Sequence, residues 1–138
     1  GSSSSSSIGL NESKLGIVAP PWLAQQYMDT IGHRQAELGL MLGTLYDPPQ
    51  ALKIGLVDEV VLANMNVVEV ARRRAVEWIQ IPPQARIAVK ELTRRPQMER
   101  LLASREEDTA HFCSFVSSDK VQRNLGAYLK QLAKRKNK

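Results

Sequence analysis

From Pro20 onward, apolar side chains recur at helical spacing, and prolines and glycines cut the pattern into segments. Pro20-Pro21 suits a first helical turn, and Trp22, Leu23, Tyr27 and Ile31 follow at a period near 3.6, predicting a helix that Gly32 ends. A second helix is predicted over about 33–43, with Ala36, Leu40 and Gly43 on one side and Leu38, Met41 and Leu42 widening the apolar surface. Asp47-Pro48-Pro49 opens a short helix, because an aspartate caps free amides and proline is tolerated in a first turn; Gly55 closes it. The β-formers Leu56, Val57, Val60, Val61 and Leu62 predict the one convincing strand, Leu56–Leu62.

Beyond Asn64 the pattern is helical throughout. Over 66–80, Val68, Ala71, Ala75, Trp78 and Ile79 form a stripe, with Arg72, Arg73 and Arg74 turned away. Pro82-Pro83 breaks that helix and opens the next, which is expected to end near Arg95-Pro96. A long helix over about 97–116 carries Met98, Leu101, Leu102, Phe112, Cys113 and Val116, with Arg105 and Thr109 interrupting the stripe. Ser117-Ser118-Asp119 is a cap signal, and Val121, Leu125, Tyr128, Leu129 and Leu132 mark a last helix fraying into Lys134–Lys138. There is no internal repeat. Residues 1–7 read as a Gly/Ser leader or linker remnant and are set aside.

Composition changes this picture little. At 138 residues, 43% apolar and 24% charged, the chain has the length and make-up of one globular domain. A single cysteine, Cys113, excludes an internal disulfide and fits a reducing compartment; no Cys/His spacing suggests zinc. No apolar run approaches the roughly 18 residues of a membrane helix, and no signal or transit peptide pattern opens the chain. A net charge of +5 makes an anionic partner plausible.

The stretch with chemical interest is Ile8–Trp22. One acid, Glu12, stands between Ile8 and Leu10 on one side and Leu15, Ile17 and Val18 on the other, with Gly9 and Gly16 flanking it. An acid so placed is partly withdrawn from water, which disfavours its charged form and suits proton transfer near neutral pH. A lone loop glutamate is, however, ordinarily a solvated residue, and spacing does not choose between the two. Asn11 and Ser13 can shape the turn by local hydrogen bonds. The other candidates have plain explanations: His33 as a helix-start histidine, Cys113 as an inert core thiol, Arg72–Arg74 as a solvated face, Trp22 and Trp78 as packing residues.

Gly9-Leu10-Asn11-Glu12, then Leu15-Gly16-Ile17-Val18-Ala19-Pro20, form one block. Ile31-Gly32-His33-Arg34, Leu42-Gly43, Ala51-Leu52 and Gly55-Leu56-Val57-Asp58 form a second. Together they resemble the crotonase (enoyl-CoA hydratase/isomerase) superfamily, with the wording around Glu12 similar to its isomerase branch. The likeness covers about residues 8–138. It implies a mainly α chain with a little β: the C-terminal part of the crotonase spiral α/β fold over 8–62, and a helical trimerisation region over 63–138. It implies movement of a double bond from position 3 to position 2 of an unsaturated fatty acyl-CoA in β-oxidation, in the mitochondrial matrix, with Glu12 as the catalytic acid/base. Leu10, Leu15, Ile17, Pro20, Trp22, Lys130 and Lys134 would contact substrate. No cofactor is implied beyond the coenzyme A carried by the substrate, and a homotrimer is.

By the same resemblance, the spiral turns, the adenine-binding loop and the oxyanion-hole amides would precede Ile8, so the chain alone is expected to be inactive. Hydratases of the superfamily use a second glutamate that would also precede Ile8, which keeps a hydratase open. A non-catalytic module binding RNA or another anion, or serving assembly, is a further alternative. Against RNA, the aromatics do not interleave with the basic residues.

Overall fold

The computed structural model describes residues 6–136, the side chains of the last two excepted. Most of the leader, the side chains of Arg135 and Lys136, and Asn137 and Lys138 therefore lie outside the described residues. Contacts divide the chain into one unit made of residues 1–58 with 105–138, and another of residues 59–104.

In the first unit, local chemistry sets the helix ends. Pro20 precedes α1 (Pro21–Ile31), and Gly32 separates it from α2 (His33–Leu42) at φ 82° and ψ 151°, a backbone setting that glycine alone adopts readily. Gly43, left-handed at φ 56°, ends α2. The short helix α3 (Pro48–Lys53) begins with a full capping box: Asp47 Oδ1 accepts from Gln50 N at 2.8 Å, and Gln50 Oε1 accepts from Asp47 N at 3.3 Å. Tyr27, Ala36, Tyr46 and Ala51 are the buried centre, with Leu10, Met28, Ile31, Leu40, Ile54, Leu56 and Val57 packed around them.

Among the described residues the sheet is one antiparallel pair, β1 (Ile8–Gly9) with β2 (Leu45–Tyr46), in register Ile8 opposite Tyr46. Gly9 is needed there, because a Cβ would collide with the carbonyl oxygen of Thr44. The strand expected over Leu56–Leu62 does not form. Leu56 N bonds back to the Ala51 carbonyl at 2.9 Å, and the residues after it find no neighbouring strand. β-formers without a partner to accept and donate ladder bonds stay irregular.

The second unit opens with α4 (Val67–Ile79), capped by Asn66, whose Oδ1 accepts from Val68 N and Glu69 N at 2.9 and 3.4 Å. The stripe expected on this helix is largely uncovered: Val70 is buried, but Val68, Trp78 and Ile79 are each more than half exposed. Two further expectations fail on α5 (Pro83–Val116). It runs through Pro96 without a break, where a helix end was expected at Arg95-Pro96. Proline removes one amide donor, but residues 91–96 are exposed all round, so the freed carbonyl one turn earlier can be hydrated. Cys113 is exposed, not a core thiol, because α5 buries no residue along its length. Trp22 and Trp78 are likewise 41% and 65% exposed.

The chain closes with α6 (Asp119–Lys136). Val121 on it is buried and lies 3.8 Å from where a Cβ on Gly16 would sit. None of the helices is long and apolar enough to cross a membrane, and no group of three or more His, Cys, Asp or Glu among the described residues could hold a metal.

Candidate active site

Glu12 is the first residue of a single 3-10 turn, Glu12–Leu15. The turn is closed by Gly16 at φ 78°, whose N–H donates to Ser13 O at 3.1 Å. Ile17 N reaches back to Glu12 O at 3.0 Å. From the far end of the sequence, Asn124 on α6 donates from Nδ2 to Leu15 O at 3.2 Å. A four-residue turn has too few bonds of its own to hold a side chain in place. Here Gly16 and Asn124 supply the stop and the brace.

The turn presents the carboxyl to an apolar concavity of about 230 Å³ lined by Glu12, Ser13, Ile17, Val18, Ala19, Ala24, Leu40 and Met41. Ala24 comes from α1 and Leu40 and Met41 from α2, so the walls are the α1–α2 hairpin and the floor is the segment after the turn. Glu12 is the only carboxylate in this lining. Its Oε2 is sealed from water and has no hydrogen-bond partner among the described residues. An unsatisfied buried acceptor costs on the order of 1–3 kcal/mol, so this oxygen has an open place for a donor brought by a ligand.

Near it is a second buried oxygen without a hydrogen-bond partner among the described residues, the Tyr27 hydroxyl. Burial first, then the neighbouring Tyr46 phenol, and last the charge of Glu12, push Tyr27 up from 10.0 to about 12. Tyr46 stands beside it, yet no hydrogen bond of good geometry satisfies the Tyr27 hydroxyl; the Tyr46 hydroxyl instead accepts from Gln35 Nε2 at 3.1 Å. Gly39 makes room for the pair, since a Cβ there would lie 2.8 Å from the Tyr46 oxygen and 3.4 Å from Tyr27 Cε1. Tyr27 therefore stays protonated at any working pH, a neutral dipole at the back of the acid.

Of the residues singled out in the sequence, Ile17 joins Glu12 in the concavity. Leu10 packs on the buried centre, Leu15 offers its carbonyl to Asn124, and Pro20 accepts from the amides of Leu23 and Ala24 at the start of α1. Trp22 is on α1, half exposed and outside the lining, and Lys130 and Lys134 are exposed on α6. His33 is exposed at the start of α2. Sequence reasoning assigned Leu40 and Met41 to a helix face and did not bring them to Glu12. Tyr27 gave no signal beyond its apolar spacing, and Tyr46 none at all.

The sequence profile of the enoyl-CoA hydratase/isomerase family matches residues 2–137. The chain is 48% identical over 129 residues to the mitochondrial enoyl-CoA delta isomerase 1 of Rattus norvegicus and 46% identical to that of Mus musculus. Each alignment takes in 94% of this chain and 44% of the relative, so the chain spans less than half the length of these curated relatives. Among solved structures, human mitochondrial delta3-delta2-enoyl-CoA isomerase superposes with a TM-score of 0.87 at 42% identity, over 94% of this chain and 50% of that one. An enoyl-CoA hydratase/isomerase from Pseudoalteromonas atlantica, at 20% identity and a TM-score of 0.74 over 91% of this chain and 50% of that one, shares the fold.

Proposed function

The chain belongs to the enoyl-CoA hydratase/isomerase family, and on that premise we propose that it carries the proton-transferring part of a Δ3,Δ2-enoyl-CoA isomerase, with Glu12 as the single acid/base. The observation that carries the reading is the Glu12 carboxyl: one oxygen buried without a partner, at the edge of an apolar concavity that holds no other carboxylate. The names of the rat, mouse and human relatives support the same assignment.

The chemistry needs one well-placed carboxyl. A thioester acidifies the hydrogens on the carbon beside it. Glu12 takes one of them, leaving an enolate whose electrons extend over the neighbouring double bond. The same carboxyl then returns the proton two carbons further along, and the double bond ends conjugated with the thioester. Atoms and charge balance without water, so a dry, apolar surround is an advantage. Ile17, Val18, Ala19, Ala24, Leu40 and Met41 supply that surround and would lie against the acyl chain. Leu10, Leu15, Pro20 and Trp22 flank Glu12 along the chain and complete the proposed acyl-contacting set. The enolate oxygen needs oriented amide donors; by resemblance these come from turns that precede Ile8 in the family's spiral.

Three further elements belong to the same proposal. The substrate is an unsaturated fatty acyl-CoA, with Lys130 and Lys134 near its phosphates. The assembly is a homotrimer. The setting is the mitochondrion, which the relatives' names support, and within it fatty acid β-oxidation.

The test is a chimera in which this chain replaces the matching part of the rat relative. It should convert a 3-enoyl-CoA to its 2-enoyl isomer, and Glu12→Gln should lower kcat by at least ~10²–10⁴ with KM little changed. Near-normal turnover by the Glu12→Gln chimera would remove Glu12 from the mechanism.

A further inference from the structure

The turn that carries Glu12 depends on a distant segment at its far end. Its local hydrogen bonds take up the carbonyls of Asn11, Glu12 and Ser13, through the amides of Lys14, Ile17 and Gly16. The carbonyl of Leu15, the last residue of the turn, is taken up instead by Asn124 Nδ2 at 3.2 Å, 109 residues further along the chain. That bond is partly buried, and it is made within one chain and within one of its two units. Its existence therefore owes nothing to a surface left open.

Packing at the same place supports the bond. Val121 and Asn124 lie three residues apart, on one face of α6 near its start. Val121 is 4% exposed. A Cβ on Gly16 would stand 3.8 Å from Val121 Cγ2 and would crowd Asn124 Nδ2 at 3.3 Å. Gly16 thus serves twice, adopting φ 78° to close the turn and letting α6 come close. Among the described elements, the Glu12 turn is the one that α6 packs against most. Further along α6, Leu129 and Leu132 are 63% and 37% exposed. The last helix of the chain has its seat on the residues that carry the acid.

We infer that Asn124 is a positioning residue for Glu12: through the Leu15 carbonyl it fixes where the carboxyl stands in the apolar concavity. The inference rests on Glu12 as the acid/base and adds the seat of α6 to what makes that acid effective. An asparagine suits the task, because its amide donates to a carbonyl without bringing a charge beside the acid. Lysine or arginine there would compete for the carboxylate, and aspartate would repel it. A reacting group displaced by about 1 Å can cost on the order of 10²-fold in rate. The facing walls, Ala24, Leu40 and Met41, come from α1 and α2 and not from α6. Loss of the bond should therefore slow the proton transfer and leave acyl binding nearly alone.

Two readouts test it, one of which needs no catalysis. In the full chain labelled with ¹³C at the glutamate side-chain carboxyls, the Glu12 resonance is the one that Glu12→Gln removes. Asn124→Leu, which keeps bulk against the turn and deletes the donor, should move that resonance toward those of exposed glutamates such as Glu99 and Glu106, as water reaches Oε2. In the chimera with the rat relative, Asn124→Leu should lower kcat about 10–100-fold with KM within about twofold. Asn124→Ala, which deletes the donor and the bulk, should do the same. Asn66→Ala, which removes the cap of α4 in the other unit, also costs stability but should change neither readout. Far-UV circular dichroism confirms that the variants are equally helical. An unmoved Glu12 resonance in Asn124→Leu would overturn the inference, whatever the chimera does. So would an effect confined to Asn124→Ala, which would assign the role to packing, or an equal loss of kcat in Asn66→Ala, which would reduce it to general destabilisation. Turnover by the Glu12→Gln chimera would instead remove the reading on which the inference rests.

Discussion

Replacing Tyr27 with phenylalanine separates burial from hydrogen bonding at the back of the candidate site. The phenol is 7% exposed and its hydroxyl oxygen is sealed without a hydrogen-bond partner among the described residues. At neutral pH, Tyr27→Phe removes a group that earns nothing in the folded state, so stability should hold or rise by a few tenths of a kcal/mol, about 0–1 kcal/mol in all. The difference between the proteins should appear in alkali. Below pH 10 the phenol is protonated folded and unfolded, and contributes no slope. Between pH 10 and about 12 the unfolded phenol loses its proton while the folded one keeps it, so stability falls as pH rises. Two pH units correspond at most to about 2.7 kcal/mol, and water at the edge of the pocket screens part of that, leaving about 1–2 kcal/mol. The assay is urea unfolding of both proteins from pH 7 to 12, read as the difference in unfolding free energy. The wild type should lose this increment and Tyr27→Phe should not. Parallel curves would refute the buried, proton-retaining phenol. A loss above about 1 kcal/mol at pH 7 would show that the hydroxyl has a partner after all.

Two further substitutions test the frame of the site. Asn124→Ala removes the side chain that donates to Leu15 O; stability should drop by about 0.5–1.5 kcal/mol, and amide exchange at Gly16 and Ile17 should quicken while α1 stays protected. Pro96→Ala in α5 should stabilise the chain, by up to about 3 kcal/mol, because it restores an amide donor and relieves ring crowding inside a continuous helix; unchanged thermal unfolding would mean that the helix is interrupted there.

The punctuation of this chain is legible in its sequence because it is made by neighbours. Asp47 with Gln50, Asn66 with Val68 and Glu69, and Gly32 and Gly43 at the ends of α2 act across three or four residues, and each stands where the residue types require. The Glu12 block is legible in the same way: a short acid-bearing turn closed by glycine. What the sequence cannot state is which surfaces meet. Leu56–Leu62 has the side chains of a strand, but a strand exists only when another backbone lies alongside, and among the described residues none does. Pro96 breaks helices by its local chemistry, yet an exposed helix absorbs it. The stripes of α4 and α5 have helical period, and most of their large side chains remain uncovered, because period announces a face without naming what covers it. The same holds at the site. Only folding brings Leu40 and Met41 opposite Glu12, lets Gly39 admit two phenols, and seals one carboxylate oxygen away from every donor. Those facts depend on contacts between segments tens of residues apart, and it is the tertiary structure that turns an acid in a loop into a candidate catalyst.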